Sequence, residues 1–293
     1  MSQGLQALPE EIEVHRDRMW RRDPENRVDD VYTAERFIED VGFCETLTDS
    51  RRPGPSLYVA VCGRRDAHMP RNVQKDPESR LAWTIKDEVM RRGKCFYGKL
   101  LRGRSTFIAP RLLPFFNALW GMPHKLEKRM LSADAQSILK IMRREWEMAT
   151  RDLREESGIR ERARFDKAMT ELQRSLKLIP TEVLYEPTFT YIWSIPEARF
   201  ADQLKENVGR DEALKEIARS YLVGAGMTYH YRMLERHAEM QANPYGAIVN
   251  PPVKGSGLAP LPKWDDKNWK GLTYKPGGVF KSASAGPKPN AAR

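Results

Sequence analysis

Cysteine is scarce in this sequence: three residues, Cys44, Cys62 and Cys95, odd in number and widely spaced. That excludes a disulfide framework, and the lack of any Cys-x-x-Cys pair or Cys/His cluster leaves no basis for a zinc site. The three are expected to behave as small buried hydrophobes. Histidines stand alone at positions 15, 68, 124, 230 and 237, with no His-Glu-x-x-His pattern, so no metal chemistry is expected. No apolar run approaches the ~20 residues of a membrane-spanning helix. The longest, around Leu112 to Trp120, is far shorter. The opening Met-Ser-Gln-Gly, followed by Pro-Glu-Glu-Ile-Glu, lacks the basic-then-apolar layout of a secretory signal and is too acidic for a transit peptide. There is also no phosphate-binding glycine loop, Ser/His/Asp set or nucleotide motif. The expectation is a soluble intracellular protein, cytoplasmic or at the nucleoid or nucleus, with no cofactor.

Charge of one sign is what the chain has in excess. Fifty Lys and Arg against forty Asp and Glu give a net charge of +10 over 293 residues. From Asn243 to the end, seven Lys and one Arg against two Asp give 8 − 2 = +6, so the remaining +4 is spread over residues 1–242. A basic balance points to polyanions, nucleic acid foremost. The 40% hydrophobic and 31% charged composition is enough to bury a core through most of the chain.

Periodicity divides the sequence into an N-terminal arm (1–30) with a short helix after Pro9 and Met19 and Trp20 as apolar anchors, a first α+β unit (31–130), a central unit (131–196), a C-terminal helical unit (197–242) and a tail (243–293). In the first unit, Ala34, Phe37, Ile38 and Val41 fall at helical spacing before Gly42. Ser56 to Cys62 reads as a buried strand, Gly63 to Ser79 as a loop and Trp83 to Arg92 as a short helix. Lys94 to Leu101 and Ser105 to Ala109 read as a hairpin about Arg102-Gly103-Arg104. Pro110 then opens an apolar helix through Trp120.

The central unit reads as three helices and a hairpin. The first, capped by Ser132, buries Ala135, Ile138, Leu139, Met142 and Trp146. Thr150 caps the second, which ends at Gly158. The third, from about Glu161 to Leu176, turns Phe165, Ala168, Met169, Leu172 and Leu176 inward. Val183 and Tyr185 alternate on one strand, and Phe189, Tyr191 and Trp193 on the next. Three helices followed by a hairpin is the order of a winged helix-turn-helix. Beyond it, Ala213, Leu214, Ile217, Ala218, Tyr221 and Leu222 mark a helix over 211–223, and another is read over 228–240. The tail holds eight Pro and seven Gly, 15 of 51 residues, the composition of an extended or disordered segment.

Two stretches carry a family resemblance. One comprises Trp83-Thr84-Ile85-Lys86-Asp87-Glu88, then Phe96 to Gly103, Thr106-Phe107-Ile108 and Leu112 to Phe116. The other runs from Arg164 to Gln173 and on to Lys177-Leu178-Ile179-Pro180. Together they resemble the AlkZ-related branch of the winged-helix proteins akin to bacterial DNA-crosslink glycosylases, over roughly residues 31–225. The resemblance implies an α+β, mainly helical fold of tandem winged helices gripping duplex DNA. In the glycosylases it also implies a Gln-apolar-Asp or Gln-apolar-Gln motif early in the first unit. Phe37 to Leu47 contains no Gln, and the Gln74-Lys75-Asp76 triplet sits in a polar loop with Lys where the apolar residue belongs.

Base excision needs a carboxylate or amide that positions water beside a flipped base. Asp87 and Glu88 are the candidates; the alternative, favoured here, is that they form surface ion pairs with Arg91 or Arg92 one helical turn on. Arg162, Arg164, Lys167 and Arg174 on the third central helix suit phosphate contact, unless they form an ordinary solvated face. Arg102 and Arg104 flank a turn that reaches a backbone or simply keeps the turn soluble. Trp264, Trp269 and Tyr274, among the tail lysines, suit single-stranded nucleic acid, a protein groove or the chain's own surface. The leading expectation is a duplex-DNA-binding protein without catalytic activity. A DNA glycosylase and a structural or adaptor subunit are the alternatives.

Overall fold

The computed structural model describes residues 10–48, 54–100 and 103–224. Eleven α-helices and six strands are formed among them. After α1 (Glu10–Met19), α2 (Val31–Val41) is closed at its start by a reciprocal capping arrangement between Asp30 and Thr33 and at its end by Gly42. β1 (Phe43–Glu45), α3 (Leu57–Cys62), α4 (Pro77–Arg92), β2 (Phe96–Lys99) and β3 (Ser105–Ile108) follow. A single 3-10 turn, Pro110–Leu112, leads into α5 (Leu113–Trp120) and α6 (His124–Met130). The next set is α7 (Ala133–Glu145), β4 (Glu147–Ala149), α8 (Thr150–Ser157), α9 (Arg162–Arg174), β5 (Ile179–Leu184) and β6 (Thr190–Ser194). The described chain closes with α10 (Glu197–Lys205) and α11 (Arg210–Gly224).

The order helix, strand, helix, helix, hairpin thus occurs twice, from α2 to β3 and from α7 to β6. The two antiparallel sheets repeat it: β1-β3-β2 in the first, β4-β6-β5 in the second. One apolar core, containing Phe37, Ile38, Tyr58 and Ile85, fills the first unit. Another, with Ile138, Met142, Phe165 and Leu172, fills the second. A third gathers Phe43, Phe96, Ile108 and Phe116 with Leu176, Ile179 and Phe200, so it joins the two units beneath α5 and α10.

Several expectations are corrected. Ser56 to Cys62 is no strand: the Ser56 side chain accepts from Val59 N and Gly63, at φ 62°, ends a one-and-a-half-turn helix whose six residues are all buried. α4 begins at Pro77, inside the expected loop, because Asp76 caps it through Ser79 N. The N-terminal arm, by contrast, forms the expected helix after Pro9, α1, and packs onto the fold. Ile12, Trp20 and Val28 are buried, and the Trp20 indole donates to the Gly224 carbonyl while His15 Nε2 lies 3.1 Å from the Val223 carbonyl. Trp146 points outward, 55% exposed, because the chain turns through φ 66° there to enter β4. Thr150 does not cap α8; its hydroxyl donates to the Tyr191 carbonyl (3.0 Å) and accepts from the Trp193 indole (2.8 Å). Leu214, expected inward, is 40% exposed. The expected helix over 228–240 and the tail lie outside the described residues.

Candidate nucleic-acid interface

The two units meet where α4 of the first lies under the β5–β6 hairpin of the second. Asp87 and its neighbour Lys86 are buried there, 5% and 1% exposed. An unpaired charge at such depth costs several kcal/mol, so each must be compensated. Lys86 Nζ is 2.5 Å from Asp87 Oδ1, 3.3 Å from the Tyr191 hydroxyl and 4.4 Å from the centre of the Trp83 ring. Tyr185, from the hairpin, donates its hydroxyl to Asp87 Oδ2. The contact between Lys86 Nζ and Oδ1 is an ion pair off the line of a hydrogen bond, so Oδ1 has no aligned donor among the described residues. Burial first, then the hydrogen bond to Asp87 for Tyr185 and the Asp87 charge for Tyr191, pushes both hydroxyls up to about 12. Both therefore stay protonated at neutral pH. Burial likewise raises Tyr97, against the pull of Lys86.

The surface-pair expectation for Asp87 is thereby overturned. Arg91 pairs instead with Glu182 (3.0 Å) and Arg92 with Glu35 (2.6 Å). Glu88 is half-buried, and its side chain makes no hydrogen bond or ion pair among the described residues. Sequence reasoning missed Tyr185 and Tyr191 as partners of Asp87, since only tertiary folding brings them there. Gln74 is exposed.

The basic candidates divide. Arg164 is held by two bonds to Asp134, at 3.0 and 2.7 Å, and Arg104 lies 2.8 Å from Glu45. Arg162, with its side chain 83% exposed, is 3.6 Å from Asp166. Lys167 and Arg174 are exposed and form no ion pair among the described residues. Arg174 lies across the β2–β3 turn, where a Cβ on Gly103 would come within 2.6 Å of its guanidinium. Next to it, Gln173 Oε1 accepts from Lys99 N at 3.0 Å. The turn and the end of α9, separate in sequence, are thus one surface. Arg102, Trp264, Trp269 and Tyr274 lie outside the described residues.

A family model described as AlkZ related matches residues 28–221, a stretch that takes in both units and this junction. The chain belongs to the AlkZ-related family. Among solved structures, this AlkZ-related chain is similar to the Streptomyces sahachiroi DNA glycosylase AlkZ, at 11% identity and a TM-score of 0.45. The match covers 75% of this chain and 58% of that one. No curated protein matches. No helix of the AlkZ-related chain is long and apolar enough, among the described residues, to cross a membrane.

Proposed function

We propose that the protein binds duplex DNA without catalysing base excision, through two tandem winged helices spanning 31–130 and 131–196. The observation that carries this reading is the repeated helix–strand–helix–helix–hairpin order, whose second copy presents Lys167 and Arg174 exposed on α9 with no ion pair among the described residues. Family membership supports it. Helix α9 serves as the groove-facing helix, and its exposed basic side chains contact phosphates. Asp87 joins the two units from inside and has no open path to a sugar at 5% exposure. Titration of labelled duplex at ~50 and ~200 mM salt tests the reading: neutralised phosphates release counterions, so affinity drops by orders of magnitude across that range. Absence of binding at the lower salt refutes it in favour of a structural or adaptor role.

One observation favours a second reading, a DNA glycosylase. Asp87 is a desolvated carboxylate with one oxygen lacking an aligned donor, set among Trp83, Tyr185 and Tyr191, which is the environment such chemistry uses. It requires the hairpin to lift off α4. Abasic-site formation by the purified protein, lost on Asp87→Asn with binding retained, would establish this reading over the first.

A further inference from the structure

The turn joining β5 and β6 carries no cation. Residues 184–190 read Leu-Tyr-Glu-Pro-Thr-Phe-Thr, and Leu184, Tyr185 and Phe189 are 40%, 59% and 58% exposed. A hairpin tip that grips phosphates needs Lys or Arg; this one offers apolar rings to water instead. The rings are also braced. Phe189 meets Tyr185 edge-on at 5.7 Å and Tyr191 at 5.3 Å, and Tyr191 continues to Trp193 at 5.7 Å, so a chain of aromatic contacts runs from the tip to the core. From behind, the buried carboxylate of Asp87 takes the Tyr185 hydroxyl and fixes that ring against the first unit.

We infer that Phe189, buttressed by Tyr185 and Tyr191, is a wedge that enters between two base pairs of bound duplex and unstacks them. The inference rests on the DNA-binding reading above and names how that DNA is held. Only residues 175–178 separate α9 from β5, so the hairpin belongs to the same unit as α9 and meets the same duplex. The cations that hold phosphates, Lys167 and Arg174, lie on α9, and the rings lie on the tip. Architectural DNA-binding proteins divide the labour in this way, using cations for the backbone and an apolar side chain for the kinked step.

The test uses the full chain and duplexes carrying 2-aminopurine, whose fluorescence rises when it loses its stacking neighbour. Binding of the unaltered protein is expected to raise the emission several-fold at one or two positions of the footprint. Phe189→Ala, at an exposed position that leaves the fold intact, should abolish the rise and weaken binding on the order of ten-fold, as loss of one stacked base would. Phe189→Trp should restore both. Binding without any fluorescence change overturns the wedge and leaves the DNA-binding reading standing. A rise that persists in Phe189→Ala also overturns it. Failure of the unaltered protein to bind at ~50 mM salt overturns both.

Discussion

Replacing Asp87 by alanine isolates the energetics of the junction between the two units. The substitution strands the Lys86 ammonium at 1% exposure, with the Trp83 ring at 4.4 Å, the Tyr191 ring at 5.4 Å and the Tyr191 hydroxyl at 3.3 Å as its remaining company. Breaking one side of a buried pair costs about 3–5 kcal/mol, because the survivor's charge stays desolvated. At about 2–4 °C per kcal/mol for a protein of this size, Tm should fall on the order of 10 °C. The reference is Glu182→Ala, which removes the pair with Arg91 where the side chains are 40% and 51% exposed; there the loss should stay within about 1 kcal/mol. Adding Lys86→Met to Asp87→Ala removes the orphaned charge and should recover most of the stability, a coupling that urea denaturation of Asp87→Ala, Lys86→Met and the double variant measures directly. Should Asp87→Ala behave like Glu182→Ala, or should Lys86→Met fail to rescue it, the buried pair does not join the units as described.

Gly103→Ala forces a side chain into a residue at φ 75° and against the Arg174 guanidinium; a loss of about 1 kcal/mol and weaker duplex binding are expected, read by denaturation and titration. Thr150→Val leaves the Trp193 indole without its 2.8 Å acceptor and should cost about 1–3 kcal/mol in denaturation, whereas Thr150→Ser should cost less. Burial alone would push the Glu127 carboxyl up, but Arg143 and Lys177 outweigh it and hold it below its usual 4.5. A carboxylate depressed in the folded state stabilises above the unfolded value and loses that contribution as pH falls through the folded one. The stability gap between the native protein and Glu127→Gln should therefore be full at pH 7 and narrow steadily below about pH 4.5, as denaturation midpoints across that range would show.

Much of the helical skeleton was legible because periodicity and end signals coincided. Ala34, Phe37, Ile38 and Val41 ahead of Gly42, and Phe165, Ala168, Met169 and Leu172 on α9, were read and are buried. The segment from Leu57 to Cys62 was misread because all six of its residues are apolar and buried, which erases the period separating helix from strand; Ser56 and Gly63 carried the missing information as caps. β1 and β4 escaped notice since three residues such as Phe-Cys-Glu have no pattern of their own and become strands only beside β3 and β6. Asp87 was read as a surface carboxylate from its neighbours Arg91 and Arg92. The partner that decides otherwise, Tyr185, is 98 positions away.

The tie between Trp20 and the carbonyl of Gly224 spans 204 positions of chain. During synthesis the ribosome delivers the first unit long before α11, so Trp20 and the face of α1 against which α11 comes to rest remain wet until the second unit has emerged. Final closure of the N-terminal unit is therefore a late event in the life of the nascent chain. A chain stopped just short of Gly224 would lack the carbonyl that the Trp20 indole meets, a defect some two hundred residues from the lesion.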